Sequence, residues 1–105
     1  MKIEHPGKLL LCKLEECGLS ASELARKIGV PKNRITTIIK GTRSITGDTA
    51  LRLAHFFQTS PEYWMELQLH FDLNEAKVKS KQLIQFLPQF HQSNSNSISK
   101  DNLND

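Results

Sequence analysis

Ser20-Ala21-Ser22-Glu23-Leu24-Ala25-Arg26-Lys27-Ile28-Gly29-Val30-Pro31-Lys32-Asn33-Arg34-Ile35-Thr36-Thr37-Ile38-Ile39-Lys40 is the stretch whose pattern sets the architecture. Ser20, with Glu23 three residues on, forms a capping box, and Leu19 stands where it can staple onto Leu24. The helix so started is short, because Gly29 and Val30-Pro31 follow within about two and a half turns. Pro31 suits the first residue of a second helix through Ile35, Ile38 and Ile39 to Lys40, with Gly41 as its stop. Two helices crossing steeply need a small residue at the crossing, and Ala25 is there. The turn needs a residue that tolerates positive φ, and Gly29 is there. Leu24, Ile28, Val30, Ile35 and Ile38 supply apolar inner faces, so the spacing is that of a helix-turn-helix.

Outward from this pair, helix signals recur and no strand-like alternation bounded by turn pairs appears. A first helix starts near Pro6, carries Leu10, Leu11, Leu14 and Cys17 along one face, and stops at Gly18. Thr46 is the expected cap of a fourth helix, with Asp48 in its first turn and Ala50, Leu53, Ala54 and Phe57 as its apolar face. Ser60-Pro61-Glu62 starts a fifth, bearing Tyr63, Trp64, Met65, Leu67, Leu69 and Phe71 most of the way round. One of those faces can pack inward, which leaves a second wanting a partner; Trp64 is expected in the core, and Tyr63, Leu67 and Phe71 are the candidate dimer surface. Asp72 and Glu75 form a further cap-like pair, from which a last helix reaches Leu87 before Pro88. The expected division is a helix-turn-helix domain over 1–76, a helical extension and candidate dimer support over 77–91, and a disordered polar tail over 92–105.

Composition limits the function. In 105 residues with a net charge of +3 there is material for one small core. No apolar run approaches the roughly 20 residues of a membrane span. The start of the chain has no apolar signal segment, and Cys12 and Cys17, five apart on one helix, cannot bridge, so a reduced, cytoplasmic protein without a membrane partner is expected. His5, His55, His70 and His91 are scattered, make no metal spacing with the cysteines, and accompany no phosphate loop or nucleophile motif. Neither an enzyme nor a cofactor is expected.

The charge is unevenly placed. From Arg26 to Arg52 there are seven basic residues against Asp48 alone, or +6, while the rest of the chain sums to −3. Within that window the outer face of the second helix presents Lys32, Asn33, Thr36, Thr37 and Lys40, with Arg34 at its flank and Thr42 and Arg43 beyond its end. These donors and short polar groups suit base edges and phosphates. Ser20, Ser22 and the free N–H groups at the start of the preceding helix add a candidate anion site. Double-stranded DNA is therefore the expected partner.

A wider set of residues now falls into order: His5-Pro6-Gly7-Lys8-Leu9-Leu10, Leu19-Ser20, Glu23-Leu24-Ala25, Ile28-Gly29-Val30-Pro31, Asn33-Arg34-Ile35, Gly41-Thr42-Arg43-Ser44-Ile45-Thr46 and Asp48-Thr49-Ala50-Leu51-Arg52-Leu53-Ala54. Phe57, Ser60-Pro61-Glu62-Tyr63-Trp64 and Phe71-Asp72-Leu73 continue it. Over residues 3–76 the chain resembles the HigA family of addiction-module antitoxins, which have the lambda-repressor-like helix-turn-helix fold. The resemblance implies an all-α, five-helix DNA-binding domain with a C-terminal helical extension. It implies a homodimer that binds operator DNA in its own promoter and neutralises a HigB-type toxin, a ribosome-dependent mRNA endonuclease. The family's recognition helix falls on Lys32 to Lys40. Two positions depart from the family pattern: Ala21 stands where relatives usually carry a phosphate-contacting Gln, and Thr37 where the recognition helix is often acidic.

Two other readings keep the fold. One is a stand-alone transcriptional regulator without a toxin. The other is a toxin-binding module with little DNA binding, in which the acidic outer parts (Glu4, Glu15, Glu16, Glu62, Glu66, Asp72 and Glu75) meet a basic toxin.

Overall fold

The computed structural model describes residues 2–91, so the polar segment over 92–105 lies outside the described residues. Its helices are α1 (Pro6–Cys17), α2 (Ala21–Ile28), α3 (Lys32–Ile39), α4 (Gly47–Phe57) and α5 (Pro61–Ile84), with no strand among the described residues. This is the all-α, five-helix arrangement expected.

Each helix starts for a local reason. His5 caps α1, its ring Nδ1 accepting the Gly7 N–H at 2.9 Å. In α2 the capping box is closed both ways: Ser20 Oγ accepts from Glu23 N at 3.1 Å, and Glu23 Oε1 accepts from Ser20 N at 2.8 Å. Ser60 Oγ takes the Tyr63 N–H in the same manner at the start of α5. Two expected starts differ slightly. Pro31 sits at the cap rather than at the first turn of α3. Thr46 occupies the cap of α4 but makes no side-chain cap bond, so Asp48 is the acid that complements the first-turn dipole.

The core joins all five helices: Leu10 and Leu14 of α1, Leu24, Ala25 and Ile28 of α2, Ile35 and Ile38 of α3, Leu53 with Ala50 and Ala54 of α4, and Trp64 of α5. Each fully buried Leu or Ile stabilises the fold by about 1.5–3 kcal/mol relative to exposure. Trp64 carries its polar atom in with it, the indole N–H donating to Thr59 Oγ1 at 2.9 Å. On α1 the expected face is narrower than the apolar pattern, since Leu11 and Cys17 are exposed and only Leu10 and Leu14, one turn apart, point inward. Gly7 explains how close α1 comes to α3: a Cβ there would overlap the Ile38 carbonyl.

The expected break at Asp72 and Glu75 does not occur, and α5 runs unbroken for 24 residues. No Gly or Pro interrupts Glu62–Ile84, and an Asp whose preceding residue stays helical has no free N–H to cap. Asp72 instead accepts from Gln68 Nε2, one turn back, at 2.9 Å. The helix ends at Ile84, three residues short of Leu87, which follows in a turn closed by its N–H on the Ile84 carbonyl.

Candidate nucleic-acid interface

The turn between α2 and α3 is built as its residues require. Gly29 ends α2 at φ 73°, in the left-handed region that disfavours any residue with a Cβ. Val30 N–H then returns to the Ala25 carbonyl at 3.0 Å, closing a Schellman turn. Ile35 and Ile38, both fully buried, lock the inner face of α3 and so decide which residues face outward.

Those outward residues are the expected ones, with individual differences. Lys32, Asn33 and Lys40 are exposed, Thr36 is half-buried, and Thr42 and Arg43 stand exposed in the segment that follows. Thr37 donates its hydroxyl back to the Asn33 carbonyl, leaving a methyl group and acceptor lone pairs for any ligand. Thr42 Oγ1 similarly donates to the Thr37 carbonyl at 3.2 Å, which ties the loop to the helix end. At the start of α2, Ser22 is half-buried and Ser20 is exposed, but the Glu23 carboxylate already occupies part of the expected anion site. Its bond from the Ser20 backbone N–H holds the Glu23 carboxyl below the ordinary range.

Arg34 is the largest departure from a free polar face. Its Nη1 lies 2.6 Å from Asp48 Oδ2, and its side chain is 29% exposed. The same oxygen takes Arg52 Nε at 3.0 Å. Arg52 Nη1 then donates to the Ile28 carbonyl at 2.8 Å and the Gly29 carbonyl at 3.3 Å. The Arg34 bond, followed by that from Arg52, holds the Asp48 carboxyl below its ordinary range. Two of the seven cations in the basic window are thus partnered within the fold. The Asp48–Arg52 pair had a legible signal in its i,i+4 spacing, whereas Arg34 and Asp48, 14 residues apart, had none.

Sequence reasoning also missed Gln68. Buried on α5, it accepts the Ile45 N–H at 2.8 Å and so anchors the loop that carries Thr42 and Arg43. Farther along α5, the candidate dimer residues do not share one surface. Tyr63 is 41% exposed, Leu67 packs partly on the core, and Phe71 sits edge-on to His5 with centroids 4.9 Å apart. The exposed apolar stripe is instead Met65, Leu69, Leu73 and Ile84. A shallow groove of about 390 Å³ lies along its far end, lined by Leu73, Ala76, Lys77, Lys81, Ile84 and Gln85. Among the described residues no three His, Cys, Asp or Glu side chains are grouped to hold a metal ion, and no helix is long and apolar enough to cross a membrane.

Five helices, two of them a short crossed pair with a polar basic face on the second, define a helix-turn-helix protein. A family model described as helix-turn-helix matches residues 13–64. The chain is 43% identical to an addiction-module antidote protein of the HigA family from Coxiella burnetii, covering 86% of this chain and all of that one, with a TM-score of 0.79. It is 32% identical, with a TM-score of 0.80, to Pseudomonas aeruginosa antitoxin HigA solved with the higBA promoter, covering 86% of this chain and all of that one. Among sequences, virulence-associated protein I of Dichelobacter nodosus is 39% identical over 85 residues, 80% of this chain and 79% of that protein. The chain belongs to the HigA family of helix-turn-helix antitoxins.

Proposed function

We propose that the protein acts as a two-fold dimer, laying α3 of each protomer in the major groove of an operator in its own promoter. The observation that carries this is the outer face of α3. Lys32, Asn33 and Thr36 stand on a helix anchored by two buried isoleucines, and the stripe continues through Lys40 at its C-cap into exposed Thr42 and Arg43. A two-fold dimer sets its recognition helices about 34 Å apart, one turn of B-DNA. Ser20 and Ser22 at the start of α2 then face a phosphate, and Lys40 and Arg43 the backbone beyond α3. Arg34 and Thr37 complete the reading face, Arg34 with the donors that Asp48 leaves free. The exposed stripe of α5 supplies the dimer contact, extended by residues 77–91, while Leu67 and Phe71 pack within the protomer, against its core and His5. The acidic remainder of the chain lies outside the basic window, so the attraction to DNA is local rather than general.

The second half of the proposal is neutralisation of a HigB-type mRNA endonuclease. Its support is the separation of charge: Glu15, Glu16, Glu62 and Glu66 are exposed and lie outside the basic window. A basic RNA-cutting partner matches such an acidic surface. The deciding experiment pairs a gel shift on the promoter fragment of its own gene with an mRNA-cleavage assay on the adjacently encoded toxin. Asn33→Ala with Lys40→Ala is expected to abolish the specific shift, keep the helical CD spectrum and keep toxin inhibition. Unchanged operator affinity refutes the DNA reading, and undiminished cleavage at excess wild-type protein refutes the toxin reading in favour of a stand-alone regulator.

A further inference from the structure

Asp48 and the two arginines it holds form a strut across the helix-turn-helix. One end is the α2 terminus, where the Ile28 and Gly29 carbonyls accept from Arg52. Arg52 passes the connection to Asp48, and Asp48 passes it to Arg34 in the first turn of α3. The strut therefore spans the turn whose angle sets how α3 is presented, and no other side-chain bond among the described residues connects α4 to α3. Exposed ion pairs contribute little to stability as a rule, so the consequence of this one lies in geometry. A guanidinium has five N–H donors in a rigid fork, and Asp48 engages it through Nη1, which leaves the others directed by the clamp.

We infer that Asp48 is a positioning residue for sequence discrimination: it holds the Arg34 fork, and through Arg52 the α2–α3 crossing, in the arrangement that reads DNA. The inference rests on the operator reading above. It has a consequence opposite in sign to simple electrostatics. Asp48 is the one acid in the basic window from Arg26 to Arg52, so a carboxylate acting only by its charge weakens binding to every DNA, and its removal tightens all binding. A positioning carboxylate does the reverse for the preferred sequence alone.

The test uses the full chain and two probes: a duplex enriched by the wild-type protein from a random-sequence library, and a scrambled duplex of equal composition, both titrated by fluorescence anisotropy at one salt concentration. Asp48→Asn is expected to bind the scrambled duplex more tightly and the enriched duplex about tenfold more weakly, the size of one lost base-directed contact. Asp48→Glu is expected to restore part of the discrimination. Arg52→Gln, which removes a cation, is expected to weaken the enriched duplex more than the scrambled one. Arg34 Nε–H resonances report the clamp without DNA, with restricted guanidinium rotation in the wild type and free rotation in Asp48→Asn. Equal tightening of both duplexes by Asp48→Asn, or an Arg34 fork as mobile in the wild type as in the variant, overturns the inference. A wild type that enriches no duplex refutes the operator reading, and this role with it, whatever the Arg34 spectrum shows.

Discussion

Replacing Gln68 by leucine isolates one buried hydrogen bond. Gln68 is 5% exposed and uses both ends of its amide, accepting from Ile45 N at 2.8 Å and donating to Asp72 Oδ1 at 2.9 Å. Gln68→Leu keeps most of the volume and adds apolar surface, so transfer alone favours the variant. It also strands the Ile45 N–H, whose residue is 2% exposed and out of reach of water. An unsatisfied buried donor costs about 1–3 kcal/mol, which exceeds the gain from a partly apolar replacement. A net loss of about 2 kcal/mol follows, and a domain of this size shifts its Tm by roughly 4–8 °C per kcal/mol. Asp72→Ala removes the other, exposed partner and should stay within about 0.5 kcal/mol of the wild type. Urea unfolding followed by far-UV CD measures both. A Gln68→Leu loss below about 0.5 kcal/mol, or an Asp72→Ala loss as large as that of Gln68→Leu, refutes the assignment of Ile45 N–H as the group that matters.

His5 gives a pH dependence. Burial lowers its pKa below the ordinary 6.5, against a smaller opposing pull from Asp72. The unfolded chain therefore takes up the proton first on acidification. The contribution of His5 is present above about pH 6.5 and is lost as the pH falls through the folded-state value. Between pH 7.5 and pH 5 the difference in urea midpoint between the wild type and His5→Asn should shrink, because protonation turns the Nδ1 cap acceptor into a donor; a constant difference contradicts it. Gly7→Ala should destabilise by about 1–3 kcal/mol, since the new Cβ meets the Ile38 carbonyl, although helix propensity alone predicts a gain of up to about 1 kcal/mol. The sign of the change in thermal melts decides between the two. Leu69→Glu, at a position 50% exposed, should leave the monomer fold intact and shift sedimentation velocity from dimer to monomer; an unchanged dimer removes the α5 stripe from the proposed interface.

Much of this protein is legible along the chain because its punctuation is local. A capping box needs residues three apart, a Schellman glycine needs the turn before it, and an inner face needs apolar side chains at i, i+3 and i+4. Ser20, Glu23, Gly29, Ile35 and Ile38 satisfy these rules within a span of 19 residues, so the crossed helix pair and its outward polar face follow without a structure. Local rules also mislead where a signal lacks its context. Asp72 and Glu75 look like a helix start, yet the residues before them are helical already and α5 continues through.

Tertiary packing decided what no spacing rule carries. Arg34 and Asp48 are 14 residues apart and Gln68 is 23 from Ile45; a charge or an amide has no periodicity that names a distant partner, so such bonds appear only once the helices are docked. The same holds for α5, where apolar residues lie on nearly every side. Contact with the core takes Trp64 and part of Leu67, His5 takes Phe71, and Met65, Leu69 and Leu73 are left at the surface. Hydrophobicity is non-directional, and which side of a helix it buries depends on where the neighbouring elements stand.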